Sequence, residues 1–161
     1  MIFVTVGTDQ PFDRMAKVVD AWAAECGRTD LFAQIGEGAW EPASIPFSPF
    51  LTPVEFNQRF GAAQIIISHA GMGTILSALH QGKPILVMPK KASLGEHRNE
   101  HQLATARHML SMGHVAVAFD EADLREKLDH LDELVPKEKI PPVAGGPLVA
   151  EIRRFVFSVS R

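Results

Sequence analysis

Apolar residues fall along the chain in short continuous runs that are separated by longer stretches of mixed character. The runs are rich in β-branched residues and do not alternate with polar ones, which is typical of strands covered on both faces of a parallel sheet. We therefore predict strands at residues 2–6, 31–35, 64–68, 84–88 and 114–119, with a short additional strand near 47–51.

Between the strands, apolar residues recur every three or four positions, which is the spacing of an amphipathic helix. Gly27 and Gly82 are placed where glycine commonly ends a helix, and Asp120 is placed to cap one. The predicted helices span residues 11–26, 53–60, 72–81, 98–111, 121–131 and 148–159. The residues expected to face the core in the fourth of them are Leu103, Ala106 and Leu110.

The stretch 64–88 predicts a strand, a tight glycine turn, a helix and a second strand. Such a βαβ unit implies parallel pairing with a right-handed crossover. The alternation of strands and helices along the chain predicts the α/β class, with a doubly wound, mostly parallel, Rossmann-like sheet. We expect a single domain over residues 1–161, with a core at 1–135, a Pro/Gly-rich linker at 136–147 and a C-terminal helical segment at 148–161.

Composition narrows the class of protein without naming a function. A chain of 161 residues with 46% hydrophobic and 22% charged residues is typical of a soluble globular domain. The net charge of -3 and the lack of a basic stripe argue against nucleic-acid binding. The single cysteine, Cys26, rules out an internal disulfide, and no apolar run approaches the roughly 20 residues that span a bilayer. We therefore expect a cytoplasmic protein.

The best candidate for a ligand site is the turn at 68–74, with the sequence SHAGMGT. Ligands of open α/β sheets bind beyond the carboxyl ends of the strands, and Gly71 and Gly73 would let a ligand approach the backbone there. The amino end of the following helix suits a diphosphate, and the turn equally fits a mere connection between strand and helix. The residues expected to bind the ligand here are Gly71, Met72, Gly73 and Thr74, with Gly7 and Thr8 from the first strand's end.

Two common nucleotides are disfavoured at this turn. The third glycine of a dinucleotide-binding motif is missing because Leu76 stands at its position. The Lys-Ser/Thr pair of an ATP-binding Walker loop is also missing from 68–74. NAD and ATP are therefore not the expected ligands.

A second polar segment lies at 95–102, with the sequence GEHRNEHQ. Its carboxylate, amide and imidazole groups suit hydroxyl-rich ligands such as ribose and sugars, although acidic residues also favour the first turn of any helix. The spacing of His97 and His101 would allow a zinc pair, but a third ligand is missing, so we expect no metal. The residues expected to bind the ligand from this segment are Glu96, Asn99, His101 and Gln102.

These segments together resemble the C-terminal domain of glycosyltransferase family 28. The resemblance lies in SHAGMGT at 68–74, GKP at 82–84, NEHQ at 99–102 and the opening VTVGT at 4–8, and it covers residues 1 to about 135. It is strongest for the small catalytic subunits of two-component transferases. The stretch at 88–99 is more similar to the bacterial group that makes exopolysaccharide repeat units.

The resemblance implies a GT-B enzyme that is split across two chains. This chain would bind the donor, and a membrane-anchored partner would bind a lipid-linked sugar acceptor. The same partner would recruit this chain to the inner face of the cytoplasmic membrane. The reaction would be an inverting, metal-independent transfer from a UDP-sugar, with no further cofactor. In one-chain relatives a glutamate in the glycine-turn helix holds the ribose. Ser77 stands at the matching position here, so Glu96 is the expected substitute.

Catalysis needs stabilisation of the departing diphosphate and a base for the acceptor hydroxyl. The amides of the glycine turn can supply the first, and His101 and Gln102 could hold the sugar. Asp13 and His69 are the candidate bases, although His69 equally suits a structural histidine and the base could lie on the partner. Two alternative functions stay open at this point: a non-catalytic, UDP-sugar-binding regulatory subunit and a flavodoxin-like FMN binder.

Overall fold

The computed structural model describes residues 1–37, 40–113 and 115–135; the predicted linker and C-terminal helix at 136–161 lie outside these ranges. The strands are β1 Ile2–Thr5, β2 Leu31–Gln34, β3 Phe47–Ser48, β4 Ile65–His69, β5 Ile85–Met88 and β6 Ala116–Val117. The helices are α1 Asp13–Glu25, α2 Pro53–Ala62, α3 Met72–Gln81, α4 His101–Ser111 and α5 Glu121–Asp129, with short 3-10 turns at Ala92–Leu94 and Leu131–Glu133.

The six strands of the described ranges form one parallel sheet in the order β3-β2-β1-β4-β5-β6. The chain winds outward in one direction from β1 and in the other from β4, so the sheet is doubly wound and Rossmann-like, as predicted. The loops after β1 and β4 leave the sheet in opposite directions at this switch point. Because Thr5 of β1 pairs with both Gln34 of β2 and Ser68 of β4, three polar residues lie abreast at the carboxyl edge.

The pleat of the strands divides the apolar residues between two cores. Ile2 and Val4 of β1 pack on the face covered by α1 and α5, whereas Phe3 packs on the opposite face with α2, α3 and α4. All four residues of β1 are almost wholly buried, at 1% exposure or less. Burial on both faces explains why the central strands are continuously apolar in sequence.

Helix α3 is held in place by a glycine at each end. Gly71 precedes it in an extended conformation, and Gly82 follows it in the left-handed region with φ of 66°, where a side chain would be strained. Its bounds are those predicted, and its apolar face packs on the sheet as predicted. This packing fixes the amino end of α3 at the carboxyl edge of β4, beside the switch point. The buried residues of that face are Ile75, Ala78 and Leu79.

Helix α4 differs from its prediction in both its start and its inward face. It begins at His101 rather than at residue 98, because the preceding turn is closed by the side-chain oxygen of Asn99, which accepts the N–H of His101. The prediction that Leu110 faces the core is wrong, since that residue is 45% exposed. The helix is rotated so that polar Gln102 points inward instead, where its amide is hydrogen-bonded. The buried residues of α4 are Gln102, Ala106 and Met109.

The last elements are shorter than predicted. Strand β6 has two residues, and α5 ends at Asp129 before a 3-10 turn. The predicted cap is confirmed, because the side chain of Asp120 accepts the N–H of Asp123 at 2.9 Å. Among the helices of the described ranges, none combines the length and apolar character needed to cross a bilayer.

Candidate functional site

A cavity of about 450 Å³ opens at the carboxyl edge of the sheet, between the loops that follow β1, β4 and β5. A volume of this size is in the range of small-molecule binding sites. The sequence-predicted residues that line it are Gly7, Thr8, His69, Gly71, Met72, Gly73, Thr74, His101 and Gln102. Residues from three loops that are far apart in the sequence therefore meet at the switch point, as the fold class predicts.

Three predicted site residues do not line this cavity. Both carboxylate oxygens of Glu96 accept hydrogen bonds from the Arg14 guanidinium, at 2.7 and 2.9 Å, and one also accepts the N–H of Lys91. Asn99 uses its side chain in the turn before α4, and Asp13 is the first residue of α1. The ribose contact of Glu96 and the base role of Asp13 thus gain no support from where these side chains lie.

The imidazole of His69 is packed between two glycines. A Cβ atom added at Gly71 would lie 2.1 Å from Cε1 of His69, and one added at Gly7 would lie 2.6 Å from Nε2. Real carbon atoms do not approach so closely, so both positions must be glycine for the ring to occupy this place. Gly7 also has a φ of 82°, which disfavours any side chain. Two of the predicted glycines therefore shape the cavity wall through His69.

Gly73 has a different surrounding from its neighbour Gly71. A Cβ added there would meet no protein atom within 4 Å in the described residues, although Gly73 lines the cavity. Its carbonyl accepts the hydroxyl of Ser77 at 2.8 Å, so Ser77 closes a turn of α3 and does not line the cavity. The space above Gly73 at the amino end of α3 is thus free for a ligand to approach the backbone.

A chain of hydrogen bonds fixes the tautomer of His69. The backbone N–H of Lys90 donates to Oε1 of Gln102 at 3.1 Å, which turns Nε2 of that amide towards Nδ1 of His69 at 3.2 Å. Because Nε2 of Gln102 is a donor, Nδ1 of His69 must accept, and the ring proton lies on Nε2. His69 therefore presents an N–H donor, which suits a phosphate oxygen better than it suits proton abstraction.

Burial, the largest cause, and the positive charge of Lys90 together lower the pKa of His69 to about 4. The unfolded chain takes up this proton near pH 6.5, whereas the folded chain does so only near 4. We therefore expect the free energy of unfolding to fall by about 3 kcal/mol, from this residue alone, as the pH is lowered from 6.5 to 4.

Proton NMR of the histidine rings would measure this directly. His130 is an internal control, because it is exposed and its hydrogen bond to Glu133 raises its pKa. The expected result is that His130 titrates above its ordinary value while His69 stays neutral down to about pH 4. A His69 resonance that titrates near pH 6.5 would contradict the neutral, Gln102-bonded ring.

Sequence reasoning missed a buried polar pair that shapes the first loop. The hydroxyl of Thr5 donates to Oε1 of Gln34 at 2.6 Å, and Nε2 of Gln34 donates to the carbonyl oxygens of Gly7 and Pro49. Thr5 is fully buried and Gln34 is 3% exposed. The signal in the sequence was a polar residue at the end of each of two apolar strands, at the edge where ligands bind.

Lys90 was also missed, although it lines the cavity directly after β5. It is 1% exposed, and its Nζ donates to the carbonyl oxygen of Gln10. Burial lowers the pKa of Lys90 to about 8, against the attraction of Asp9 and Glu96. Within the charged loop at 89–97, nothing in the sequence distinguished this lysine from Lys91. Thr105 and His97 line the same cavity and were not predicted as ligands either.

A second, more apolar cavity of about 280 Å³ adjoins the first. Thr8, Gln34 and Phe56 line both cavities, so the two are neighbours in space. The other lining residues of the smaller cavity are Phe50, Leu51, Pro53 and Asn57. A cavity at a helix amino end that adjoins a more apolar one suits a ligand with an anionic part and a flat apolar part.

In the described part of the chain, no group of three or more His, Cys, Asp or Glu side chains lies close enough together to hold a metal ion. His97 lines the cavity before α4 begins, and its nearest carboxylate is that of Asp9, at 3.9 Å.

A doubly wound parallel sheet with a glycine turn, a helix amino end and a cavity at the switch point is the architecture of nucleotide-binding α/β domains. Within that class, the comparison with family models is decisive. The model for the glycosyltransferase family 28 C-terminal domain matches residues 1–140, and the chain belongs to this family. The resemblance seen in the sequence is thereby confirmed.

The chain is similar to proteins named ALG13 in both sequence and structure. The human UDP-N-acetylglucosamine transferase subunit ALG13 is 32% identical over 124 residues, which is 71% of this chain. The chain spans about a tenth of the length of that protein. The solution structure of an ALG13 protein matches 94% of this chain and 93% of its own, with a TM-score of 0.57 and 20% identity.

A larger glycosyltransferase has the same fold in one part of its chain. The calicheamicin glycosyltransferase CalG4 matches 99% of this chain with 44% of its own length, at a TM-score of 0.62 and 19% identity. The match to less than half of a larger transferase confirms the fold prediction, that of one Rossmann-like half of a GT-B enzyme.

Proposed function

We propose that this chain is the donor-binding subunit of an inverting glycosyltransferase that moves a sugar from a UDP-sugar to a lipid-linked acceptor. The observation that carries the proposal is the 450 Å³ cavity at the switch point, with the amino end of α3 and the free space over Gly73 at its wall. Membership of family 28 supports the reaction class. The name of the human relative makes UDP-N-acetylglucosamine the first donor to test.

The two cavities suggest how the donor lies. The diphosphate would contact the backbone N–H groups at Gly73 and Thr74, where the helix dipole favours negative charge. The uracil would occupy the adjoining apolar cavity beside Phe50 and Phe56. The sugar would then extend towards His101 and Thr105, on the other side of the glycine turn.

The chain's own contribution to catalysis would be electrostatic. In an inverting transfer the bond from the sugar to the diphosphate breaks as the acceptor oxygen attacks the opposite face, and negative charge grows on the diphosphate. Fixed N–H donors at the amino end of α3, together with Nε2 of His69, would stabilise that charge without reorganising. His69 is a poor base here because burial lowers its pKa to about 4.

The acceptor and its base belong to the second wall of the active site. We propose that a membrane-anchored partner subunit supplies both and recruits this cytoplasmic chain to the inner face of the cytoplasmic membrane. The acceptor would be a lipid-linked sugar, in polysaccharide biosynthesis of the exopolysaccharide type. These proposals are supported by membership of family 28 and by the name of the human relative, which is that of a transferase subunit.

Calorimetry with UDP, with and without EDTA, tests the donor site. We expect binding in both conditions, because backbone N–H groups at the amino end of α3 would replace a metal ion as the partners of the diphosphate. FMN serves as the competing ligand, since a flavin-binding domain would retain a yellow chromophore and ignore UDP. Loss of UDP binding in EDTA would contradict the metal-free reaction, and failure to bind UDP in either condition would contradict the proposed function.

A further inference from the structure

Lys90 is a buried cation without a buried anion beside it. Its side chain is 1% exposed, and the only acceptor for its Nζ among the described residues is the carbonyl oxygen of Gln10. An ammonium group has three N–H donors, so two are left for another partner. Burying a charge is costly unless it is paired, which makes such a residue unusual in a wall that has only a structural role.

The nearby carboxylates are committed to other cations. Glu96 is paired with the guanidinium of Arg14 through both oxygens. Asp9 is half exposed and lies 3.9 Å from both His97 and Arg98. No carboxylate of the described residues comes within 4 Å of Nζ of Lys90. Asp9 and Glu96 attract its positive charge only from a longer distance.

Lys90 lies in the wall of the cavity that the glycine turn also lines. It follows β5 directly and lines the same cavity as Gly71, Gly73 and Thr74 of the glycine turn. Its positive charge also acts on the ring of His69, which lies between Gly7 and Gly71. A cation in the wall of the cavity and the amino end of α3 in the same wall both favour an anion in the cavity.

We propose that Lys90 is an anion-binding residue, whose ammonium group donates to the diphosphate of the nucleotide donor together with the backbone N–H groups at the amino end of α3. This inference rests on the proposed function and deepens it. In a site without a metal ion, the ammonium group of Lys90 would take the place of a divalent ion in neutralising the diphosphate. The negative charge of the bound diphosphate would pair with the ammonium group of Lys90, which has no carboxylate of the described residues beside it.

The test compares Lys90→Met with Lys91→Met, using UDP and uridine as the two ligands. Methionine keeps the length of the side chain and removes the charge, and Lys91 is the adjacent lysine, which does not line the cavity. We expect Lys90→Met to weaken UDP by roughly 10- to 100-fold, the range for a hydrogen bond to a charged group. Uridine, which has no phosphate, should bind as before, and Lys91→Met should bind both ligands like the unaltered protein.

A pH series on the unaltered protein supplies a second test that needs no variant. The titratable groups around Lys90 are Asp9, Glu96, His69 and His97. Carboxylates and imidazoles ordinarily titrate below pH 8, and so does the terminal phosphate of UDP. Lys90 is then the protein group of this set that loses charge above pH 8. The affinity for UDP relative to that for uridine, which carries the same titrating uracil N–H, should therefore fall above that value, by up to about tenfold per pH unit. Lys90→Arg should remove this fall.

Each outcome separates the inference from the proposed function. UDP binding by Lys90→Met at the unaltered affinity, or a flat ratio of UDP to uridine affinity from pH 8 to pH 10, would overturn the role of Lys90 and leave the donor site standing. Equal weakening of UDP and uridine would also overturn it, because the lysine would then only hold the loop through Gln10. Failure of the unaltered protein to bind UDP would overturn both.

Discussion

Gly73→Val is expected to abolish UDP binding while the fold is retained. A Cβ atom added at Gly73 meets no atom of the described protein within 4 Å, so we expect the folded chain to accommodate the side chain, and valine in the first turn of α3 is not worse than glycine for helix formation. The space it fills is the space we assign to the diphosphate. Forcing atoms into an occupied site costs about 1–3 kcal/mol or more, so affinity should fall by at least about fivefold, and to below detection where the diphosphate cannot shift aside.

Gly71→Ala is the matched comparison for this variant. Its single added carbon would lie 2.1 Å from Cε1 of His69, so the ring or the turn must move. We expect a loss of about 1–3 kcal/mol in the free energy of unfolding, because the site is overpacked. Urea unfolding and calorimetry on both variants would show one that folds normally and fails to bind, and one that is destabilised. Unchanged UDP affinity in a normally folded Gly73→Val would remove the glycine turn as the phosphate site.

The second large effect concerns transfer to a membrane acceptor. The isolated chain is expected to bind a UDP-sugar and to transfer almost none of it. In the proposed split enzyme, the sheet of the described residues forms one wall of the cleft, and the partner supplies the other wall, which positions the lipid-linked acceptor. Co-expression with a membrane-anchored partner should raise transfer by on the order of 100-fold or more, since loss of positioning alone costs that much. Radiolabelled sugar incorporated into the lipid fraction measures it.

Two controls keep this experiment specific. Gly73→Val with the partner present should give no transfer, which would tie the activity to this chain's cavity. The chain should also move to the membrane fraction only when the partner is expressed. Robust transfer to the lipid acceptor by the isolated chain would contradict the split-enzyme proposal, and donor binding without transfer in any combination would favour a regulatory subunit.

The bounds of α3 could be predicted to the residue because its signals are local. Gly71 and Gly82 flank a run with helical spacing, and apolar strands stand on either side. The prediction for α4 failed where distant contacts decided the outcome. Gln102 is buried because it bonds Lys90 and His69, which are 12 and 33 positions away. The periodicity of apolar residues does not contain information about such bonds, so it predicted that Leu110 faces the core.

The sequence by itself determined the α/β class, the glycine turn and the family, because continuous apolar strands, helix-ending glycines and a motif are all local patterns. Only the tertiary structure decided which polar residues share the cavity. Parallel pairing at the switch point brings Thr5, Gln34 and His69 to one edge, while Arg14 takes Glu96 away from it. Lys90 became distinct from Lys91 for the same reason: burial and charge depend on neighbours in space, and those neighbours come from loops that are 80 residues apart in the chain.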